Sequence, residues 1–148
     1  AFTNAGAFIV VGAIEERTGS TELEDYNGLI KRSPFLAGIF LILLLSLAGV
    51  PATGGFMGKF MVFGAALAEQ FYILALIAII NSVVAVGYYF KVIKAMFFVP
   101  GEELPAVSVA RPTRYALLIA LAMTLLLGIF PSWFLHIATT SGLAMIGL

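Results

Sequence analysis

The chain has 148 residues, of which 61% are hydrophobic and only 11% charged, and its eight basic and eight acidic side chains cancel. Soluble domains carry about one-quarter charged residues, so this composition predicts an integral membrane protein that contacts the lipid bilayer. The balanced charge excludes a basic footprint for nucleic acid. The lack of cysteine excludes disulfides, iron–sulfur ligation and thiolate zinc sites, and the single histidine, His136, cannot form a metal site alone.

The first apolar segment covers residues 1–14 and is too short to cross a bilayer. As a helix it spans about 21 Å, whereas the hydrocarbon core is about 30 Å thick. It also lacks the basic start of a signal peptide. We interpret it as a partial transmembrane helix over about residues 1–15. Residues 1–148 would then form a single membrane domain, the C-terminal part of a longer subunit.

A polar stretch with a short interfacial turn predicted at residues 26–30 leads to a second apolar segment, residues 34–68. One continuous helix of this length would reach about 52 Å, far more than a crossing needs. The segment is therefore either a helical hairpin or a single crossing that is interrupted near residues 50–55.

The distribution of basic residues chooses between these alternatives. Outside Lys59, the basic residues are Arg17, Lys31, Arg32, Lys91, Lys94, Arg111 and Arg114. A single broken crossing places all seven on one side of the membrane, whereas a hairpin divides them three against four. Because positive charge concentrates on the cytoplasmic side, we favour the broken crossing. Both basic loops are then cytoplasmic, the C-terminus lies opposite, and a bacterial inner membrane is the expected location.

Two further apolar segments complete an expected all-α transmembrane bundle. The third covers residues 71–98, and the fourth covers residues 114–135 with a break or kink at Pro131. Residues after this crossing, up to 148, are expected to form an interfacial tail.

The sequence "VPATGG", residues 50–55, predicts the helix break. Pro51 has no N–H to donate and disfavours helical geometry in the residue before it, while Gly54 and Gly55 make irregular backbone accessible. Such a break persists in a membrane only where protein or water covers its polar groups. A plain kink is the alternative, in which Gly54 and Gly58 allow close helix packing.

Lys59 follows the break and is the main candidate for function. It lies ten residues before Glu69, taken as the interface, which places it about 15 Å deep, near the bilayer midplane. A charge there costs at least about 2.5–3.5 kcal/mol, so a functional role is the default interpretation. Desolvation and nearby dipoles act on an amine in opposite directions, and a lysine between them can load and release a proton. The alternative is a lysine permanently paired with a carboxylate or with the carbonyls at the break.

Three polar residues are possible companions of Lys59, and a lysine near the membrane surface is a possible entrance. Asn81 and Ser82 lie at a similar depth on the third segment, and Ser46 lies close to the break, so each is a candidate for a water wire. Ordinary interhelical hydrogen bonding is the alternative for all three. Lys91, at the end of the third segment, is a candidate proton entrance, or a lysine that extends to the interface.

The stretch "LLLSLAGVPATGGFMGKF" resembles the broken helix of the antiporter-like membrane subunits of respiratory complex I. The stretches "TNAGAFIVV", "YNGLIKRSPFLA" and "NSVVAVGYYFKVIKAMFF" support the resemblance and occur in the order typical of that family. Among these subunits the chain is most similar to the subunit N branch, also called subunit 2, over about residues 1–100. The resemblance implies a proton half-channel around Lys59, with other membrane-arm subunits as partners. It also implies redox chemistry in those partners, so that this chain binds no cofactor and no soluble small-molecule substrate.

Two alternative functions remain. The D-type subunit of multisubunit Na⁺/H⁺ antiporters carries a similar proline–glycine–lysine pattern. A structural membrane scaffold with a permanently paired lysine is the other alternative.

Overall fold

In the computed structural model, residues 1–101 and 106–132 are described, and all of their regular structure is helical. The elements are α1 (Phe2–Thr18), a 3₁₀ turn (Leu23–Tyr26), α2 (Leu29–Arg32), α3 (Pro34–Ala48), α4 (Gly54–Ala68), α5 (Tyr72–Phe98) and α6 (Arg111–Ile129). The predicted all-α class is confirmed for this part of the chain. The predicted interfacial tail and His136 lie outside the described residues.

Helix α1 continues beyond the apolar segment that predicted it. It includes Glu15 and Glu16 and ends at Gly19, which adopts a left-handed conformation (φ 79°) and donates its N–H to the carbonyl of Glu15. Glutamate and arginine are good helix formers, so loss of hydrophobicity does not end a helix, whereas a left-handed glycine does. The two acidic residues therefore belong to the last turn of α1 and not to the loop.

The last turn of α1 and the loop after it contact residues at the end of α5 and before the start of α6. The backbone N–H of Gly28 donates to the carbonyl of Ala95 in α5 at 3.1 Å. The guanidinium of Arg17 donates to the hydroxyl of Ser108, just before α6, at 2.9 Å. The two basic loops thus lie together at one end of the bundle.

Prolines determine where α6 begins and where it ends. Pro112 occupies its first turn, where a missing N–H is harmless, so the helix starts at Arg111, three residues before the expected position. It ends at Ile129, directly before the Phe130–Pro131 pair, because the residue before a proline disfavours helical geometry.

The core of the bundle is built around α3. Leu36, Phe40 and Leu43 of α3 are buried among residues of the neighbouring helices, including Val10 of α1 and Met96 of α5. The second half of the broken segment differs sharply, because α4 has no fully buried residue. Most large apolar side chains of α4 and α5 are exposed, as expected for surfaces that contact lipid or other helices.

Helix lengths agree with a broken crossing. Within the described residues, α5 and α6 are long and apolar enough to span a membrane by themselves. Helices α3 and α4 are apolar but have 15 residues each, which corresponds to about 22 Å, less than the hydrocarbon thickness.

Candidate functional site

The second apolar segment is interrupted between Ala48 and Gly54, which confirms the predicted break. Gly49 ends α3 in a left-handed conformation (φ 96°), and Ala52 adopts another left-handed conformation (φ 66°). Thr53 is extended, and α4 starts at the next residue. The break therefore contains two residues with a conformation that L-amino acids other than glycine rarely adopt.

Pro51 determines which carbonyl becomes available. In a continuous helix the Leu47 carbonyl would accept the N–H of residue 51, but proline has none. The ammonium of Lys59 takes this place: Nζ donates to the carbonyl oxygen of Leu47 at 2.8 Å and to that of Ala48 at 3.1 Å. Pro51 thus leaves the Leu47 carbonyl without its helical donor, and Lys59 supplies a donor in its place.

Other polar groups of the break are also satisfied by protein. The Thr53 hydroxyl donates to the carbonyl of Val50 at 2.6 Å, and the N–H of Gly55 donates to the Ser46 hydroxyl at 3.1 Å. The N–H groups of Gly49 and Val50 both donate to the carbonyl of Leu45. This satisfies the requirement that irregular backbone in a membrane be covered.

The third partner of Lys59 comes from α5. Its Nζ donates to the Ser82 hydroxyl at 2.7 Å, so the three N–H bonds of the ammonium have three oxygen acceptors. The last carbonyls of α3 form the negative end of the helix dipole, which favours a cation there. All three acceptors are formally neutral, and Lys59 itself is partly buried.

The predicted companions of Lys59 have different environments. Ser82 contacts the ammonium directly, whereas Ser46 contacts the start of α4. Asn81 is exposed, because adjacent residues of a helix point about 100° apart. Lys91 is also exposed, with its Nζ 5.6 Å from the centre of the Tyr88 ring. It lies nine residues after Ser82, about 13.5 Å along α5.

Three glycines in the first half of α4, Gly54, Gly55 and Gly58, have different surroundings. A Cβ on Gly54 would lie 3.1 Å from the carbonyl oxygen of Thr124 in α6, and one on Gly55 would overlap the carbonyl of Ser46. A Cβ on Gly58 would meet no atom within 4 Å among the described residues. Close packing therefore involves Gly54 and Gly55 and not the Gly54–Gly58 pair.

Helix α6 contributes two residues that the sequence interpretation missed. Gly128 packs against the backbone of Ala52 and Thr53, so that a Cβ there would overlap the break. Thr124, one turn earlier, is fully buried and shares a hydrogen bond of 3.1 Å with the hydroxyl of Thr3. The available signal was a threonine and a glycine four residues apart in an apolar helix, which is a known packing pattern.

A groove of about 570 Å³ borders the site between α1, α3 and α5. Its lining is mainly apolar and includes Leu47, whose carbonyl binds Lys59, together with Asn4, Thr21, Tyr26, Tyr88 and Tyr89. No group of three or more histidine, cysteine or acidic residues that could hold a metal ion occurs in the described ranges.

An all-α bundle with a broken apolar helix and a partly buried cation at the break is an arrangement typical of membrane proteins with an ion pathway. The family model for the transmembrane region of NADH:quinone oxidoreductase and Mrp antiporter subunits matches residues 1–85. The chain therefore belongs to this family, which confirms the resemblance noted in the sequence.

Individual relatives agree with this assignment. NADH-quinone oxidoreductase subunit N from Desulfitobacterium hafniense is 37% identical over 145 residues, which covers 98% of this chain and 29% of the relative. The subunit N from Saccharopolyspora erythraea is 44% identical over 144 residues, which covers 95% of this chain and 28% of the relative. F(420)H(2) dehydrogenase subunit N from Methanosarcina mazei is 36% identical over 156 residues, covering 99% and 32%.

A solved structure of respiratory complex I from Thermus thermophilus with bound aureothin contains a similar chain. The TM-score is 0.77 and the identity 29%, over 88% of this chain and 31% of that chain. The present chain spans about three-tenths of the length of the curated relatives it matches.

Proposed function

We propose that this chain is part of a proton-translocating membrane-arm subunit of a complex I-type oxidoreductase. Lys59 is the group that loads and releases the proton. The family match and the names of the relatives support this assignment. Redox chemistry and its cofactors belong to partner subunits, and this chain supplies a section of the proton path.

The three contacts of the Lys59 ammonium within the part of the chain that the structure describes, all with formally neutral groups, carry the proposal. A lysine that serves only as structural support would be most stable opposite a carboxylate, because an uncompensated buried charge is costly. Lys59 instead contacts two carbonyls and one hydroxyl. These groups bind an ammonium without fixing its charge as a carboxylate would, so a change in the surroundings can release the proton.

The partners of the chain are other membrane-arm subunits and lipid. The exposed apolar surfaces of α4 and α5 support this, since exposed apolar area on this scale marks interaction surfaces. The location is the bacterial inner membrane.

The basic loops face the cytoplasm in this proposal. The hydrogen bonds from Arg17 to Ser108 and from Gly28 to Ala95 join the two loops at one end of the bundle. That arrangement supports a single broken crossing by α3 and α4, with all seven basic residues on one side. Lys91, near this end of α5, is the proposed entrance group.

The test compares Lys59→Ala with Lys59→Glu in the full-length subunit, assembled in its complex in membrane vesicles. Lys59→Ala should slow proton transfer through this path by about 10²–10⁴-fold, the usual contribution of a proton-transfer group, and should therefore lower proton translocation per electron. Lys59→Glu should retain part of the activity because a titratable group remains. Lys94→Ala, which changes an exposed lysine of α5, is the matched control and should leave translocation unchanged.

Normal translocation in Lys59→Ala vesicles would contradict the proposal and favour a structural lysine. Translocation that requires Na⁺ and continues without electron transfer would favour a cation/proton antiporter subunit, the other activity named by the family description.

A further inference from the structure

The three acceptors of the Lys59 ammonium are not chemically equivalent. Two are backbone carbonyls, which only accept hydrogen bonds, and the third is the Ser82 hydroxyl, which both accepts and donates. The protonated lysine donates to all three. The neutral amine has two N–H bonds and one lone pair, so one of its three contacts must reverse direction.

Only Ser82 can reverse. A lone pair directed at the carbonyl of Leu47 or Ala48 would face another acceptor, whereas one directed at Ser82 accepts the O–H of the serine. The neutral amine therefore keeps its two carbonyl contacts and orients its lone pair towards α5. A proton is added or removed at the position of the lone pair.

We propose that Ser82 is the proton-transfer partner of Lys59, so that the proton enters and leaves the amine on its α5 side through the Ser82 hydroxyl. This inference rests on the proposed function. On release, the Nζ–H bond breaks and a new Oγ–H bond forms on Ser82, while the original hydroxyl proton passes to a water molecule. Loading is the reverse, and the serine is unchanged after each transfer.

The face of α5 that carries Ser82 reaches a groove about two turns further along the helix. Tyr89 lies seven residues later, which is two turns along the same face of the helix. Tyr89 lines the groove of about 570 Å³ that also borders Leu47. The face of α5 that contacts Lys59 therefore continues into the groove.

The test measures protons translocated per electron in membrane vesicles that contain the assembled complex. NADH is supplied as the electron donor. Ser82→Ala should lower this ratio, because the lysine loses the only one of its three contacts that can also donate a hydrogen bond. Ser82→Thr retains the hydroxyl and should stay close to the wild-type value. Ser82→Val has the shape of threonine without the hydroxyl and should behave like alanine.

Val83→Ala is the control, because Val83 is the adjacent residue of α5 and is exposed. It should translocate protons normally. If Ser82→Ala assembles poorly, the threonine and valine variants still decide the question, since they differ only in the hydroxyl.

Equal translocation by Ser82→Thr and Ser82→Val would overturn the inference, and so would normal translocation by Ser82→Ala. If either result occurs while Lys59→Ala is defective, the proposed function of Lys59 is still supported and only the role of Ser82 is contradicted. Normal proton translocation by Lys59→Ala would contradict both the proposed function and the role of Ser82.

Discussion

Replacing Gly55 by alanine tests whether the contact between the start of α4 and the end of α3 positions Lys59. A Cβ at this residue would overlap the carbonyl of Ser46, and the Ser46 hydroxyl at 3.1 Å accepts the Gly55 N–H. The overlapping atoms are backbone, so they cannot move away as a flexible side chain would. Helix α4 must shift, and the Lys59 contacts with Leu47 and Ala48 must lengthen with it.

The magnitude follows from a comparison with Gly58→Ala. Both substitutions add the same methyl group to a glycine in the first half of the same helix. Only the first introduces an overlap, since a Cβ on Gly58 would meet nothing within 4 Å among the described residues. Overpacking costs about 1–3 kcal/mol, and the midpoint of about 2 kcal/mol corresponds to roughly thirtyfold.

The assay combines the amount of assembled complex on native gels with protons translocated per electron in vesicles. Gly55→Ala should fall well below Gly58→Ala in the product of these two quantities, while Gly58→Ala should match the wild type. Equal values for the two variants would refute the reasoning, because the close approach at Gly55 would then have no effect on the site.

Two further predictions concern the packing around the break. Thr124→Val removes the buried hydrogen bond to Thr3 and should destabilise the bundle by about 0.6 kcal/mol, the average for such bonds in membranes. A double-mutant cycle with Thr3→Val, measured from unfolding midpoints in bicelles, should return a coupling of that size, whereas a coupling of zero would contradict the observed contact. Ala52→Gly should raise the thermal inactivation temperature of the complex, because alanine at φ 66° costs about 1–2 kcal/mol that glycine avoids. A lower inactivation temperature would show that the left-handed conformation at residue 52 is not maintained.

The sequence determined the class of protein, the all-α architecture, the place of the break and the choice of Lys59. Each of these depends on a local property. Hydrophobicity summed over a segment identifies a membrane helix, a missing N–H identifies the break at Pro51, and the hydration of an ammonium makes Lys59 conspicuous. The end of α1 at the left-handed Gly19 is also a local signal. The helix predicted from the sequence ended earlier because Glu15 and Glu16 are polar.

Only the tertiary structure decided which polar residue serves Lys59. Asn81 and Ser82 have nearly the same depth, but they point about 100° apart, and the rotation of α5 about its axis selects Ser82. The sequence could not predict this rotation, because α5 is apolar on nearly every side and has no polar face to orient it. The contacts of Thr124 and Gly128 with the break depend in the same way on how a distant helix packs, and packing between apolar helices is determined by shape and not by hydrophobicity.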